Sequence, residues 1–130
     1  GADTGEVKKL FQNDLEGTIS RYNTIQHARM YKAGIAVAKV DHTIGRVTAA
    51  QAADELLNIS GIEASFVLFP DGERVILSAR SMGDINVQVI LEKLGGGGNA
   101  ATAGAQVANP SVDAVFKQLL QAIDQYLSDE

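Results

Sequence analysis

Four consecutive glycines, Gly95, Gly96, Gly97 and Gly98, followed by Asn99, form the part of the sequence with the clearest chemical potential. Glycines leave the backbone unobstructed and permit dihedral angles that point several N–H groups into one concavity, which suits phosphate oxygens. The run could instead be a flexible linker or the end of a helix. Because it stands between an apolar helical segment and a strand of small residues, we favour phosphate binding, although the run matches neither the Walker nor the dinucleotide-binding pattern.

A second group of candidate ligand-binding residues follows a predicted strand. Arg80 could offer a phosphate a bidentate charged contact, and the hydroxyl groups of Ser78 and Ser81 could donate hydrogen bonds. The alternative is that Arg80 is a surface residue held in an ion pair. Asn86, near the start of the next predicted helix, could face either a ligand or solvent.

Catalytic groups are harder to find in this sequence. The two histidines, His27 and His42, are far apart, and no cluster of Asp and His has the spacing of a metal site. Nothing resembles a nucleophile triad, and no pair of carboxylates follows the strands where a two-metal site would be built. These residues therefore predict a binding module and not a complete enzyme, and we expect the isolated chain to hydrolyse nothing.

The elements that must position these residues are predicted in the order helix, strand, helix, strand, strand, helix, glycine loop, short strand, helix. Residues 4–30 are predicted as one long helix with an apolar face. Residues 34–40 and 62–69 are predicted strands, and the continuous apolar run of the second indicates burial on both faces. The Pro-Asp-Gly sequence at 70–72 predicts a hairpin turn. The apolar face of the first helix consists of Val7, Leu10, Phe11, Leu15, Ile19, Tyr22 and Ile25.

The later helices carry recognisable start and stop signals. Thr48, Asp84 and Asn109 are predicted as their N-caps, since short polar side chains can accept a hydrogen bond from the first turn of a helix. Pro110 then falls in the first turn of the last helix, where its missing N–H costs nothing. The glycines end the helix that begins at Asp84 and form the loop after it.

Composition limits the classes of function. The chain has 130 residues, 45% of them hydrophobic, which is enough for one domain with a single core. It has no cysteine, so disulfides and zinc–thiolate sites are excluded. A net charge of -5 argues against a general nucleic-acid binder, which needs a basic surface. No apolar run reaches the roughly 18 residues needed to span a bilayer.

Several segments, in order and spacing, resemble the DHHA1 domain of the DHH phosphoesterases, and most closely that of the bacterial membrane-anchored cyclic-di-AMP phosphodiesterases. The similarity covers about residue 32 to the end of the chain. One departure is that the family usually has a histidine directly after the glycines, where this sequence has Asn99. The segments that carry the resemblance are 34–38, 52–57, 61–67, 78–81, 85–90, 92–98, 103–106 and 122–127.

The resemblance implies an α/β (α+β) fold, a small mixed sheet flanked by helices, with a DHHA1-type nucleotide-binding domain at 32–130. Residues 1–31 would be a linker helix from an upstream DHH domain that holds two manganese ions and performs the hydrolysis. This chain would then be a cytoplasmic domain of a membrane-anchored bacterial protein, without membrane contact of its own and able to form a homodimer. It would bind cyclic-di-AMP, whose hydrolysis yields pApA.

The resemblance also implies that Arg80 and the glycine loop contact phosphate and base. With the residues singled out above, this makes the predicted substrate-binding set Ser78, Arg80, Ser81, Asn86, Gly95, Gly96, Gly97, Gly98 and Asn99. Asparagine keeps the hydrogen bonds of a histidine but cannot carry a proton near neutral pH, so a charged role would be lost at Asn99. Two alternatives stay open: a module of an oligoribonuclease or exonuclease of the same superfamily, and a structural or dimerisation domain without a ligand.

Overall fold

A computed structural model describes the backbone of residues 4–129 and the side chains of residues 15–129. The described residues form four helices and six strands. The helices are α1 (Thr4–Gln26), α2 (Arg46–Leu56), α3 (Val87–Glu92) and α4 (Val112–Ser128). The strands are β1 (Ala28–Met30), β2 (Ile35–Lys39), β3 (Ala64–Asp71), β4 (Arg74–Ser81), β5 (Gly97–Gly98) and β6 (Thr102–Val107).

The strands form one sheet in the order β1-β2-β3-β4-β6-β5. Strands β2 and β3 are parallel and are joined through α2, and every other neighbouring pair is antiparallel. A parallel pair needs a crossover connection, which explains why a helix lies between β2 and β3 while β3 and β4 are joined by a tight turn. The predicted α/β fold with a mixed sheet flanked by helices is confirmed.

Two apolar clusters, one on each face of the sheet, form the core. Helices α3 and α4 cover one face, where Phe66, Leu68 and Leu77 are buried. Helix α2 covers the other face, where Val67, Phe69 and Ile76 are buried, and Ile25 of α1 packs against the same cluster. The side chains of β3 therefore alternate between two buried faces, as the continuous apolar run predicted.

The β3–β4 hairpin differs in detail from the prediction, because Pro70 lies in the strand and not in the turn. Pro70 pairs with Val75, Asp71 pairs with Arg74, and the connection is Gly72 and the residue after it. Gly72 has a φ of +65°, which glycine adopts readily. Strand β2 ends before it reaches the level of Pro70, so the missing N–H of the proline costs no hydrogen bond to that neighbour.

The prediction of one helix over residues 4–30 is wrong at its end. The helix stops at Gln26, and Ala28–Met30 adds an edge strand to β2. Along the predicted apolar face, Leu15, Ile19 and Tyr22 are 61%, 51% and 55% exposed, and Ile25 packs against the cluster under α2. Val7, Leu10 and Phe11 lie outside the residues whose side chains are described. Within residues 4–129, no helix has the length and apolar character needed to cross a membrane.

All three predicted N-caps are displaced by two or three residues. Helix α2 starts at Arg46, after Gly45 and before Thr48, and none of the described side chains caps it. Asn86 caps α3 in place of Asp84. In α4 the cap is Ser111, because Asn109 accepts a hydrogen bond from the Ser111 N–H and the chain turns there before the helix begins, with Pro110 outside it.

Candidate functional site

The candidate site is built on the face of the sheet that α2 partly covers. On β4, Leu77 and Ala79 point to the cluster under α3 and α4, so Ser78 and Arg80 must point to the α2 face. Ser78 pairs with Gly104 of β6, and Gly104 pairs with Gly97 of β5. The three residues therefore form one row across three strands, with one hydroxyl and two bare glycine positions.

A cavity of about 430 Å³ lies against this row. Ser78, Gly104 and Gly97 belong to its wall, together with Gly95 and Gly96 at the end of α3. Arg46, the first residue of α2, and Gln106 of β6 complete the polar part of the wall. Helix α2 packs on β3 and β4, and the half of the same face formed by β6 and β5 carries the cavity.

The glycines of the predicted phosphate loop have different structural roles. A Cβ atom at Gly96 would overlap the carbonyl oxygen of Gly104 and would come within 2.6 Å of the Ala105 Cβ atom. Gly95 and Gly98 have φ angles of +84° and +145°, which glycine tolerates best. A Cβ atom at Gly97, by contrast, meets no atom of the described residues within 4 Å. Three of the glycines are thus needed by the fold, and Gly97 opens onto the cavity.

The backbone amides at the start of the loop are already engaged. The N–H of Gly95 donates to the carbonyl oxygen of Glu92 at 3.1 Å, and the N–H of Gly96 donates to that of Leu91 at 2.8 Å. These bonds close the C-terminal end of α3, whose last carbonyl groups need partners. At Gly95 and Gly96 the loop therefore offers the cavity backbone without side chains, but no free N–H groups. The expected convergence of several N–H groups does not occur at these two residues.

Arg80 lies on the same face as Ser78 and Gly97, but its guanidinium is engaged within the protein. Its Nε lies 3.1 Å from the Asp54 carboxylate of α2, and its Nη1 donates to the Ala79 carbonyl oxygen at 2.8 Å. The side chain is 17% exposed. The ion pair considered as the alternative from sequence is therefore present in the structure.

The remaining predicted residues use their side-chain oxygens inside the fold. Ser81 points to the face opposite Ser78 and Arg80, is 6% exposed, and accepts a hydrogen bond from the Gly83 N–H at 3.1 Å. Asn86 accepts one from the N–H of Val89 at 3.2 Å as the cap of α3. Asn99 accepts two, at 3.0 and 2.9 Å, from the N–H groups of the turn between β5 and β6. Four of the nine predicted residues line the cavity: Ser78, Gly95, Gly96 and Gly97. The other five are not part of its wall: Arg80, Ser81, Asn86, Gly98 and Asn99.

Sequence reasoning missed Arg46, Gly104 and Gln106 as residues of the cavity wall. Arg46 directly follows the β2–α2 loop, a position where α/β folds often bind ligands, and this was the available signal. In the same loop, His42 hydrogen bonds to Asp41 at 3.0 Å and lowers the pKa of that carboxyl. Gly104 and Gln106 become neighbours of Ser78 only through the register of β4 and β6.

A further cavity, of about 550 Å³, lies on the opposite face of the sheet between β1 and α4. Arg29 and Lys39 stand at its rim, and Phe116 and Leu120 form part of its apolar wall. Lys39 is paired with Asp113 at 2.7 Å. None of the predicted ligand-binding residues lines this cavity, so the glycine-walled cavity remains the candidate site.

Comparison with known proteins now identifies the family. The DHHA1 domain matches residues 32–129. The chain belongs to the DHHA1 domain family. The cyclic-di-AMP phosphodiesterase PdeA of Listeria monocytogenes is 41% identical over 133 residues, which cover 100% of this chain and 20% of the relative. The cyclic-di-AMP phosphodiesterase GdpP of Geobacillus thermodenitrificans is 43% identical over 129 residues, which cover 97% of this chain and 20% of the relative.

Solved structures share the fold of this DHHA1 domain. An exopolyphosphatase-related protein from Bacteroides fragilis superposes with a TM-score of 0.73 at 20% identity, over 85% of this chain and 34% of that one. At that identity the likeness concerns the fold alone. This chain spans about a fifth of the length of the two phosphodiesterase relatives. Within the described part of this DHHA1 domain, no group of three or more His, Asp or Glu side chains is close enough to hold a metal ion.

Proposed function

We propose that this DHHA1 domain binds the nucleotide substrate of a phosphodiesterase that acts on cyclic dinucleotides, and that another domain carries the manganese ions and the attacking water. The observation that supports this most directly is the cavity whose wall includes Ser78, Gly104 and Gly97. Ligand sites are typically concave and carry a few placed polar groups, and this cavity combines glycine backbone with the side chains of Ser78, Gln106 and Arg46.

The shape of the wall suits a flat base. The row from Ser78 through Gly104 to Gly97 presents little side-chain volume, so a planar ring can approach the backbone closely. The Ser78 hydroxyl can donate and accept hydrogen bonds with the edge of a base or with a phosphate oxygen. The Gln106 side chain accepts a hydrogen bond from Arg74 Nη1 at 2.8 Å through its Oε1, so its amide nitrogen is the group that can donate to a ligand. Arg46 adds a cation at the α2 side of the same cavity.

The relatives indicate which nucleotide to expect. Both of the relatives described above are cyclic-di-AMP phosphodiesterases, and their similarity extends over 97–100% of this chain. A substrate-binding domain of this kind would contribute to catalysis by holding the phosphodiester in the orientation required by the metal-bearing domain. Correct positioning of reacting groups can account for a large part of an enzymatic rate enhancement.

The test is a titration of the isotopically labelled chain with cyclic-di-AMP, pApA, AMP and a short oligoribonucleotide, followed by amide NMR. We expect cyclic-di-AMP to shift the signals of Ser78, Gly97 and Gly104, and to leave those of Phe116 and Leu120 in the other cavity unchanged. In a parallel incubation with Mn²⁺, the chain alone should form no pApA from cyclic-di-AMP.

Three results would contradict the proposal. Stronger binding of the oligoribonucleotide than of cyclic-di-AMP would favour the oligoribonuclease alternative. Shifts confined to Phe116 and Leu120 would place the ligand in the other cavity. No shift with any ligand, from a chain whose spectrum is well dispersed, would favour a structural or dimerising domain.

A further inference from the structure

We propose that the cavity between β1 and α4, here called the β1–α4 cavity, binds a small organic acid, which has a compact apolar body and one anionic group. The cavity lies on the face of the sheet opposite the glycine-walled cavity, and its wall suits a different class of ligand. This site is independent of the proposed nucleotide site, and either assignment can fail without the other.

The floor of the β1–α4 cavity is a part of the sheet that α4 leaves open. The sheet order places β1 outside β2, and α4 packs on β3, so an open stretch remains on the outer two strands. Val37 of β2 is buried there, and Phe116 and Leu120 of α4 form the apolar side wall. The volume of about 550 Å³ falls within the range of about 300–1,000 Å³ that is typical of small-molecule sites.

Two cations flank this apolar floor, and strand geometry fixes their places. Arg29 of β1 pairs with Val37 in the sheet register, so both side chains point to the same face. Lys39 follows Val37 by two residues on β2 and points to that face as well. Val37 belongs to the cluster under α4, which identifies the face as the one with the cavity. A ligand that rests on Val37 therefore has a cation on each of two sides, at the roughly 5–7 Å spacing of neighbouring Cβ atoms in a sheet.

The wall of the β1–α4 cavity is positively charged, although the chain as a whole is acidic. The sequence has 16 acidic and 11 basic residues. The wall nevertheless contains Arg29, Lys39 and His27, and none of its described residues is a carboxylate. Such a wall attracts an anion and repels a cation.

Both cations can accept a contact from a ligand anion. Arg29 is exposed and donates through Nη1 to the carbonyl oxygens of Gln26 and Ala28, at 2.9 and 2.8 Å. These bonds hold the guanidinium in place, and within the described part of the chain its Nε and Nη2 make no hydrogen bond. Lys39 is paired with Asp113 at 2.7 Å, but the two side chains are 40% and 74% exposed. An exposed pair of this kind is weak, so a ligand anion can share the ammonium group.

The apolar wall limits the rest of the ligand. Val37, Phe116 and Leu120 have side chains that form no hydrogen bonds, so ligand hydroxyl groups placed against them would lose their contacts with water without replacement. The Nζ of Lys39 lies 4.9 Å from the centroid of the Phe116 ring, which brings an aromatic surface and a charge together. An aromatic or compact aliphatic acid matches both features, whereas a sugar-rich ligand does not.

The experiment is a titration of the isotopically labelled full chain with three probes: 2-naphthoate, its neutral analogue 2-naphthylmethanol, and acetate, which has the charge without the apolar body. Amide NMR follows Phe116 and Leu120 at the β1–α4 cavity, and Ser78 and Gly97 at the glycine-walled cavity. We expect 2-naphthoate to shift only the first pair, with a dissociation constant of about 1 mM, as suits a ligand of this size. The neutral alcohol and acetate should each bind at least about twofold more weakly, because each lacks one of the two contacts.

Variants of the chain test the role of charge. R29Q and K39Q should each weaken the binding of 2-naphthoate about two- to fivefold, the range for an exposed charge pair, and leave the binding of 2-naphthylmethanol unchanged. K117Q is the matched control, because Lys117 is exposed on the same helix as Phe116 and is not part of the cavity wall. It should bind 2-naphthoate like the parent.

The proposal is overturned if 2-naphthoate shifts Ser78 and Gly97 in place of Phe116 and Leu120, or shifts neither pair up to about 10 mM. It is also overturned if 2-naphthylmethanol binds the parent as tightly as 2-naphthoate, which would indicate an unselective apolar crevice. The same holds if R29Q and K39Q bind like the parent, or if K117Q weakens binding as much as they do, since overall charge would then explain the effect. Cyclic-di-AMP titrated alongside tests the nucleotide site separately.

Discussion

Alanine at Gly96 should destabilise the domain, whereas alanine at Gly97 should leave its stability unchanged or raise it slightly. A Cβ atom at Gly96 would overlap the Gly104 carbonyl oxygen and lie 2.6 Å from the Ala105 Cβ atom. Carbon atoms in contact normally stay about 3.5–4.0 Å apart, so the glycine strand would have to move by roughly 1 Å. A Cβ atom at Gly97 meets nothing among the described residues within 4 Å.

The size of the effect at Gly96 can be bounded in two ways. If β5 stays in place, the added methyl is overpacked, which typically costs about 1–3 kcal/mol. If β5 separates from β6, the pairs Gly97–Gly104 and Gly98–Ala103 are lost, and at about 0.5–1.5 kcal/mol for each hydrogen bond the cost is similar. We therefore expect the free energy of unfolding to fall by about 1–3 kcal/mol in G96A. In G97A it should stay the same or rise by up to about 1 kcal/mol, because alanine restricts the unfolded chain.

Urea unfolding followed by far-UV circular dichroism measures both changes. The same samples should then be titrated with cyclic-di-AMP, together with G97V, whose isopropyl group would project into the cavity. We expect G97V to lose binding while it keeps the stability of the parent. A G96A chain as stable as the parent within about 0.5 kcal/mol would refute the close approach of β5 and β6, and a G97V chain that binds normally would refute the location of the site.

Three further results are expected. Asn86→Ala should lower the free energy of unfolding by about 1 kcal/mol through loss of the α3 cap, and Asn86→Ser should recover most of it in urea titrations. Asn99→Ala should speed amide exchange of the two N–H groups in the β5–β6 turn, and Asn99→Asp should not, since an aspartate oxygen accepts the same bonds. Hydrogen bonds from Tyr31 and Lys32 lower the pKa of Asp124, so this carboxylate stabilises the fold above its unfolded pKa and loses that effect as the pH falls through its folded pKa. In thermal unfolding, the parent should therefore be more stable than Asp124→Asn at about pH 6, and this difference should shrink as the pH falls to about 2. A difference that stays constant over this range would contradict the role given to the Asp124 carboxylate.

Local signals were enough to predict most of the elements. The apolar run of β3 predicted a strand buried on both faces, because every residue of a central strand faces one of two covered sides. The glycines correctly marked the end of α3, since Gly95 has the positive φ typical of a helix terminus. Boundaries were less certain: residues 27–30 continued a helical pattern in sequence, but in the fold Ala28–Met30 pairs with β2.

The sequence by itself determined the family, the mixed sheet and the glycine-walled side of the candidate site, because these depend on residue types and on order along the chain. Only the tertiary structure decided which residues meet there. Strand register sets Gly104 beside Ser78, and strand alternation turns Ser81 to the opposite face. The packing of α2 on β4 pairs Arg80 with Asp54 and leaves Arg46 at the cavity. Such contacts join residues about 26–60 positions apart, and a pattern within a few neighbouring residues does not indicate them.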